Sequence, residues 1–215
     1  DEFFVEVAED SAFYAERDTW SWAEFENLLD VEIYNCAQLT RLPLDLLCGA
    51  PKLQSLNLSM NQGIAGKQLL SDWEAIICGA SGADIQILYF NSCNLEETPD
   101  YSHLSRMTKL GLLDLSNNKL RKIHPFGKEI FPTTLYYDNN RIESIAPSED
   151  GYFCGLGQLE TFSCSNNQLT ELPDLFDARS VHPLITTNFS GNKISTLPTG
   201  DQWRGLNTET LNLAD

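Results

Sequence analysis

What this chain is missing narrows its possibilities first. No apolar run approaches the roughly 18 residues that a membrane-crossing helix needs, so this segment is not expected to insert in a bilayer. Positive charge is scarce: 14 Lys and Arg stand against 31 Asp and Glu, a formal net charge of −17. Such a surface repels nucleic-acid phosphate and anionic lipid and suits a basic or neutral protein partner. No C-x-x-C occurs, and no His stands at ligand spacing from a Cys, so no metal site is expected. G-x-S-x-G, H-E-x-x-H, the P-loop and G-x-G-x-x-G are also absent, so neither a catalytic residue nor a cofactor is expected. His103, His124 and His182 are scattered over connecting segments and read as turn and surface residues. No secretory or lipid-anchor motif is seen. Beginning at Asp1 and stopping inside a repeated unit, the chain is expected to be a piece of a longer one.

What is present is a repeat. Leu110, Leu113, Leu115, Asn118 and Leu120 fit L-x-x-L-x-L-x-x-N-x-L. Positions four and six of that template alternate as a strand does. The fourth position recurs at Val5, Val31, Leu56, Leu88, Leu113, Leu135, Phe162, Thr187 and Leu211, at intervals of 22 to 32 residues. The Asn position recurs at Asn61, Asn118, Asn140, Asn167 and Asn192, with Cys36 and Cys93 standing in for it twice. An Asn side chain both donates and accepts, so it can satisfy backbone groups where the chain turns out of a strand. Leu42-Pro43, Leu172-Pro173 and Leu197-Pro198 then set an extended exit. The longest interval holds Ser71 to Ile77, which reads as a short helix closed by Gly79 and Gly82.

These residues resemble the leucine-rich repeat family over 28–215, with Leu-Pro exits like those of the bacterial, surface-exposed or exported type. The resemblance implies an α/β fold. It would be a right-handed solenoid, a horseshoe segment with a curved parallel β-sheet on the concave face and short helices or turns on the convex face. Residues 1–27 read as a degenerate first repeat or capping segment, with Phe3, Phe4, Trp20 and Trp22 covering the core's open end. Residues 28–215 read as seven repeats plus a truncated one. Thr187 at an inward position, Pro132 at a leading-Leu position and the 32-residue interval depart from the pattern. Cys36 and Cys93 lie two repeats apart, too far for a bond that needs Cα atoms within about 7 Å, so buried free thiols are expected. Cys48, Cys78, Cys154 and Cys164 also occupy structural places, and the redox compartment stays open.

Template positions three, five, seven and eight are expected to face out of the sheet. There Ile87, Tyr89, Leu112 and Tyr136 form an apolar, aromatic cluster, a candidate contact centre. Glu32, Tyr34, Asp114 and Asp138 complete the candidate binding face, and Asp30 adds charge. Later strands present Thr, Ser and Asn, which suits carbohydrate less well than it suits a solvated face. Asn57-Leu58-Ser59 and Asn188-Phe189-Ser190 match the glycosylation pattern, but the repeat itself produces them. The expected function is non-enzymatic recognition of a protein or peptide, as one module of a larger exported or cell-surface bacterial protein. Two other readings stand beside it: a cytoplasmic inhibitor or adaptor of a basic protein, and the substrate-choosing part of an enzyme whose catalytic domain lies elsewhere.

Overall fold

The computed structural model describes residues 3–7, 26–36, 50–63, 84–98, 107–124, 126, 132–145, 158–173, 184–197, 199 and 208–214. The helix expected at 71–77, the segment 8–25 and Cys48, Cys78 and Cys154 lie outside them.

Each short alternating stretch forms a strand. They are β1 (Phe3–Val7), β2 (Leu28–Ile33), β3 (Ser55–Asn57), β4 (Ile87–Tyr89), β5 (Leu112–Asp114), β6 (Lys122–Ile123), β7 (Thr134–Tyr136), β8 (Ser144–Ile145), β9 (Thr161–Ser163), β10 (Leu184–Asn188) and β11 (Thr208–Asn212). Nine of them make one parallel sheet in the order β1-β2-β3-β4-β5-β7-β9-β10-β11. Sheet order therefore follows chain order, as it must when each coil stacks on the one before. The pairings Val5–Val31, Val31–Leu56, Leu56–Leu88 and Leu88–Leu113 are all direct, and they continue through Leu135, Phe162 and Thr187 to Leu211. The architecture is a solenoid of in-register coils.

The three-residue strands β3, β4, β5 and β7 bury only the middle side chain and β9 buries Phe162 and Ser163, so the core is assembled from neighbours. Val31, Leu56, Leu88, Leu113, Leu135 and Phe162 are buried in one row, and Ile33, Leu58, Phe90, Leu115, Tyr137, Cys164 and Phe189 in the next. Phe162 sits between Tyr137 and Phe189, with ring centroids 6.0 and 5.7 Å away. Such tilted packing adds a little to area burial, about 0.5–1.5 kcal/mol per pair. Thr187 breaks the apolar row at no exposure, and its Oγ1 is matched by Thr208 Oγ1 at 3.0 Å.

The asparagines stitch coil to coil. Asn118 Nδ2 donates to the carbonyls of Leu115 (3.0 Å) in its own coil and Phe90 (2.9 Å) in the preceding one. Its Oδ1 accepts the N–H groups of Cys93 (2.9 Å) and Leu95 (3.0 Å). Asn61, Asn140, Asn167 and Asn192 repeat the arrangement. Cys93 keeps half of it: Sγ donates to the Leu58 carbonyl at 3.1 Å. Cys36, Cys93 and Cys164 are all buried thiols outside any disulfide.

The residue before each ladder position is left-handed: Asn35, Met60, Ser92, Asn117, Asn139, Asn166 and Gly191 all have φ between 52° and 65°. The turn aims each N–H at the next coil, as from Asn117 to the Asp138 carbonyl (2.8 Å) and from Asn139 to the Ser165 carbonyl (2.9 Å). The ladder thus continues past the strand ends. Asn tolerates this backbone region, which explains the Asn-Asn doublets at 117–118, 139–140 and 166–167. At Gly191 a Cβ would also run into Asn166 Oδ1.

Candidate functional site

The open face of the sheet is built by the residues flanking each buried strand centre. Ile87 pairs directly with Leu112, and Tyr89 pairs with Asp114, which in turn pairs with Tyr136. Adjacent strands stand about 4.8 Å apart, so the two tyrosines flank one carboxylate within about 10 Å. All of these side chains are half-buried, a consequence of standing beside neighbours on a sheet rather than alone. Glu32 and Tyr34, also half-buried, belong to β2 and its exit. One strand, β3, with Ser55 and Asn57, separates them from the Ile87–Tyr136 group. The eight residues expected to share a face therefore fall into a group of six and an outlying pair.

The two aspartates in that group also serve the sheet. Asp138 Oδ1 accepts from Ser163 Oγ (2.6 Å), Ser165 Oγ (2.6 Å) and the Ser165 N–H (2.7 Å). Asp114 Oδ1 accepts the Ser116 N–H at 2.8 Å, and Oδ2 faces Asn91 Nδ2 at 3.3 Å. Asn57, Asn188 and Asn212 make the same two-residue turn contact as Asp114, which ends the strand. In the Tyr136 row no such residue is present, and Asp138 supplies the bond to the following coil instead. Position seven does not face outward as a column. Ser59, Ser116 and Ser165 are buried, while Tyr34, Asn91, Asp138 and Ser190 of the same column are half-buried.

Below the face, burial pushes the Cys93 thiol up to about 11. The N–H groups of Asn61 and Met60 partly oppose that shift, and the Asp114 charge adds to it. Burial, with the Asp138 charge adding, pushes Cys164 higher still. These thiols stay protonated and inert in the folded chain. His124 is exposed and lines a cavity on the flank of the solenoid, while His103 and His182 lie outside the described residues.

Two groups of residues were not singled out by sequence reasoning. The left-handed column is one, and the Asn-Asn doublets were its signal. The other is the basic run Lys119, Arg121 and Lys122, which Arg141 joins on the flank. No helix among the described residues is long and apolar enough to cross a membrane.

Stacked coils, an in-register parallel sheet and a ladder of asparagines define a repeat solenoid of the leucine-rich kind. The family model for Leucine Rich Repeat matches residues 158–178. Bovine (Bos taurus) lumican is 29% identical over 116 residues, 54% of this chain and 33% of lumican. The chain thus spans about a third of the curated relatives it matches (33% of bovine lumican). A leucine-rich repeat protein from Bacteroides eggerthii superposes with a TM-score of 0.72 at 34% identity, covering 96% of this chain and 35% of that one. Another from Bacteroides thetaiotaomicron gives 0.72 at 36% identity, covering 95% and 25%. Sequence repeat and fold are those of leucine-rich repeat proteins.

Proposed function

We propose that the open face across β4, β5 and β7 binds a protein or peptide segment, and that the chain is a recognition module rather than an enzyme. The supporting observation is the direct adjacency of Ile87 and Leu112 beside two tyrosines, all partly open to solvent on one rigid sheet. Aromatic groups held this way contribute contact area with little loss of freedom on binding. Solenoid sheets are the surface such proteins commonly use for partners. Asp30, Glu32 and Asp114 bias the face toward a partner with basic groups near an apolar anchor.

The same reading takes 28–215 as the recognition domain and 1–27 as its first, degenerate coil. It makes the chain one module of a larger exported or cell-surface bacterial protein. The likeness to the two Bacteroides proteins supports the bacterial part of that reading.

The test begins by capturing partners on the immobilised chain from the organism's surroundings. Partner affinity is then compared with that of a Tyr89→Ala, Tyr136→Ala variant. The variant is expected to fold normally and lose at least about tenfold in affinity, since truncating one anchor typically costs over 1 kcal/mol. Unchanged affinity in the folded variant would overturn the assignment.

A further inference from the structure

A different feature lies on the flank, where the chain runs on from the ladder asparagines. There Lys119, Arg121 and Lys122 from one coil and Arg141 from the next surround a cavity of about 580 Å³. Glu96 and Glu97 of the preceding coil form its other end. Four of the chain's 14 Lys and Arg thus meet in one place, against two carboxylates, in a molecule of net charge −17.

Among the described residues the side chains of Lys119, Arg121, Lys122 and Arg141 make no ion pair or hydrogen bond. Lysines elsewhere behave differently. Lys52 donates to Asn27, Lys109 pairs with Asp84, and Lys193 donates to Gln168, each reaching a residue 25 positions earlier in the adjoining coil. The backbone under the cleft is well fixed. Lys119 N–H donates to the Leu95 carbonyl (2.7 Å), Arg141 N–H to Leu120 (2.9 Å) and Glu143 N–H to Arg121 (3.0 Å). Beside these bonds β6 pairs with β8, Lys122 opposite Ser144.

The geometry points to a binding site for a small ligand carrying one or two oxyanion groups: carboxylate, sulfate or phosphate. Two guanidinium forks and two ammonium groups are the donors that such groups select. The volume matches a ligand the size of a short peptide or a disaccharide. A long polyanion is disfavoured, because the surrounding surface and the Glu96–Glu97 end repel it. The site is separate from the face at Tyr89 and Tyr136, so either assignment stands without the other.

The test is an amide-resolved NMR titration of the whole chain with inorganic phosphate, inorganic sulfate and succinate, at constant ionic strength. At least one probe is expected to give saturable shifts confined to 119–124 and 141. The probe that saturates first identifies the oxyanion. Arg121→Gln with Arg141→Gln is expected to weaken that binding at least about tenfold. Glu96→Gln with Glu97→Gln should tighten it. Lys119→Gln with Lys122→Gln gives an independent loss should the arginine variant misfold. No saturable shift, equal shifts in a folded arginine variant, or binding of a long heparin-like polyanion alone would overturn the assignment.

Discussion

At Asn118 a single side-chain amide bonds two coils through both of its ends, and every one of its partners is a backbone group that water does not reach. Asn118→Ala is expected to lower unfolding free energy by about 1–3 kcal/mol or somewhat more, because the stranded carbonyls and N–H groups keep their desolvation cost. Urea unfolding measures it. Cys93 shows the limits of substitution at such a position. Its thiol donates to the preceding coil but offers no second strong acceptor. Its burial also couples folding to alkaline pH. Between the ordinary thiol value of 9.0 and about 11, an unfolded chain has lost this proton while the folded chain still holds it. Raising pH through that window therefore favours unfolding. The urea midpoint should fall as pH rises from 9.0 to about 11, and fall less steeply in Cys93→Ala. An equal slope in both proteins would contradict the account.

At the scale of the element, the segments leaving the ladder form a minor ladder of their own, with β6 and β8 and a parallel bridge between Glu171 and Thr196. The place five residues after the ladder residue is apolar and packs on the core in three exits, at Ile123, Ile145 and Leu172, while in the exit after Asn192 it is Leu197, 55% exposed. Thr98 holds that place in the coil before β5, 5% exposed, and among the described residues its buried Oγ1 has no hydrogen-bond partner. Thr98→Val keeps the shape and removes the stranded hydroxyl, so the unfolding free energy should rise by about 1 kcal/mol. Strand positions and register were legible in the sequence because a period-two pattern recurring at coil length leaves little freedom in pairing. The sheet places Val5 to Leu211 side by side as that pattern required. The exits were less legible. Their apolar signal is one residue per coil, and the left-handed turns before them are marked by Asn, Ser, Gly and even Met60, a set without common hydropathy.

For the whole molecule, a charge of −17 describes an average that its flank does not share. The cleft at Arg121 and Arg141 went unseen because the short run Lys119, Arg121 and Lys122 lies in one coil, and Arg141 and the Glu96–Glu97 end come from its two neighbours. The face at Ile87 to Tyr136 was visible in advance because one fixed offset generates it. What linear reading could not foresee was that Asp114 and Asp138 divide their bonding between the outside and the sheet. The asparagine spine has one more consequence. Its bonds reach the adjoining turn and no farther. Excising the stretch from Asn118 to Asn139 would bring Asn140 opposite Phe90, and the seam would heal. Removing half that stretch would leave buried amides facing nothing. Such a protein can be shortened or extended by splicing complete turns, and its length is open to change wherever its local chemistry is closed to it.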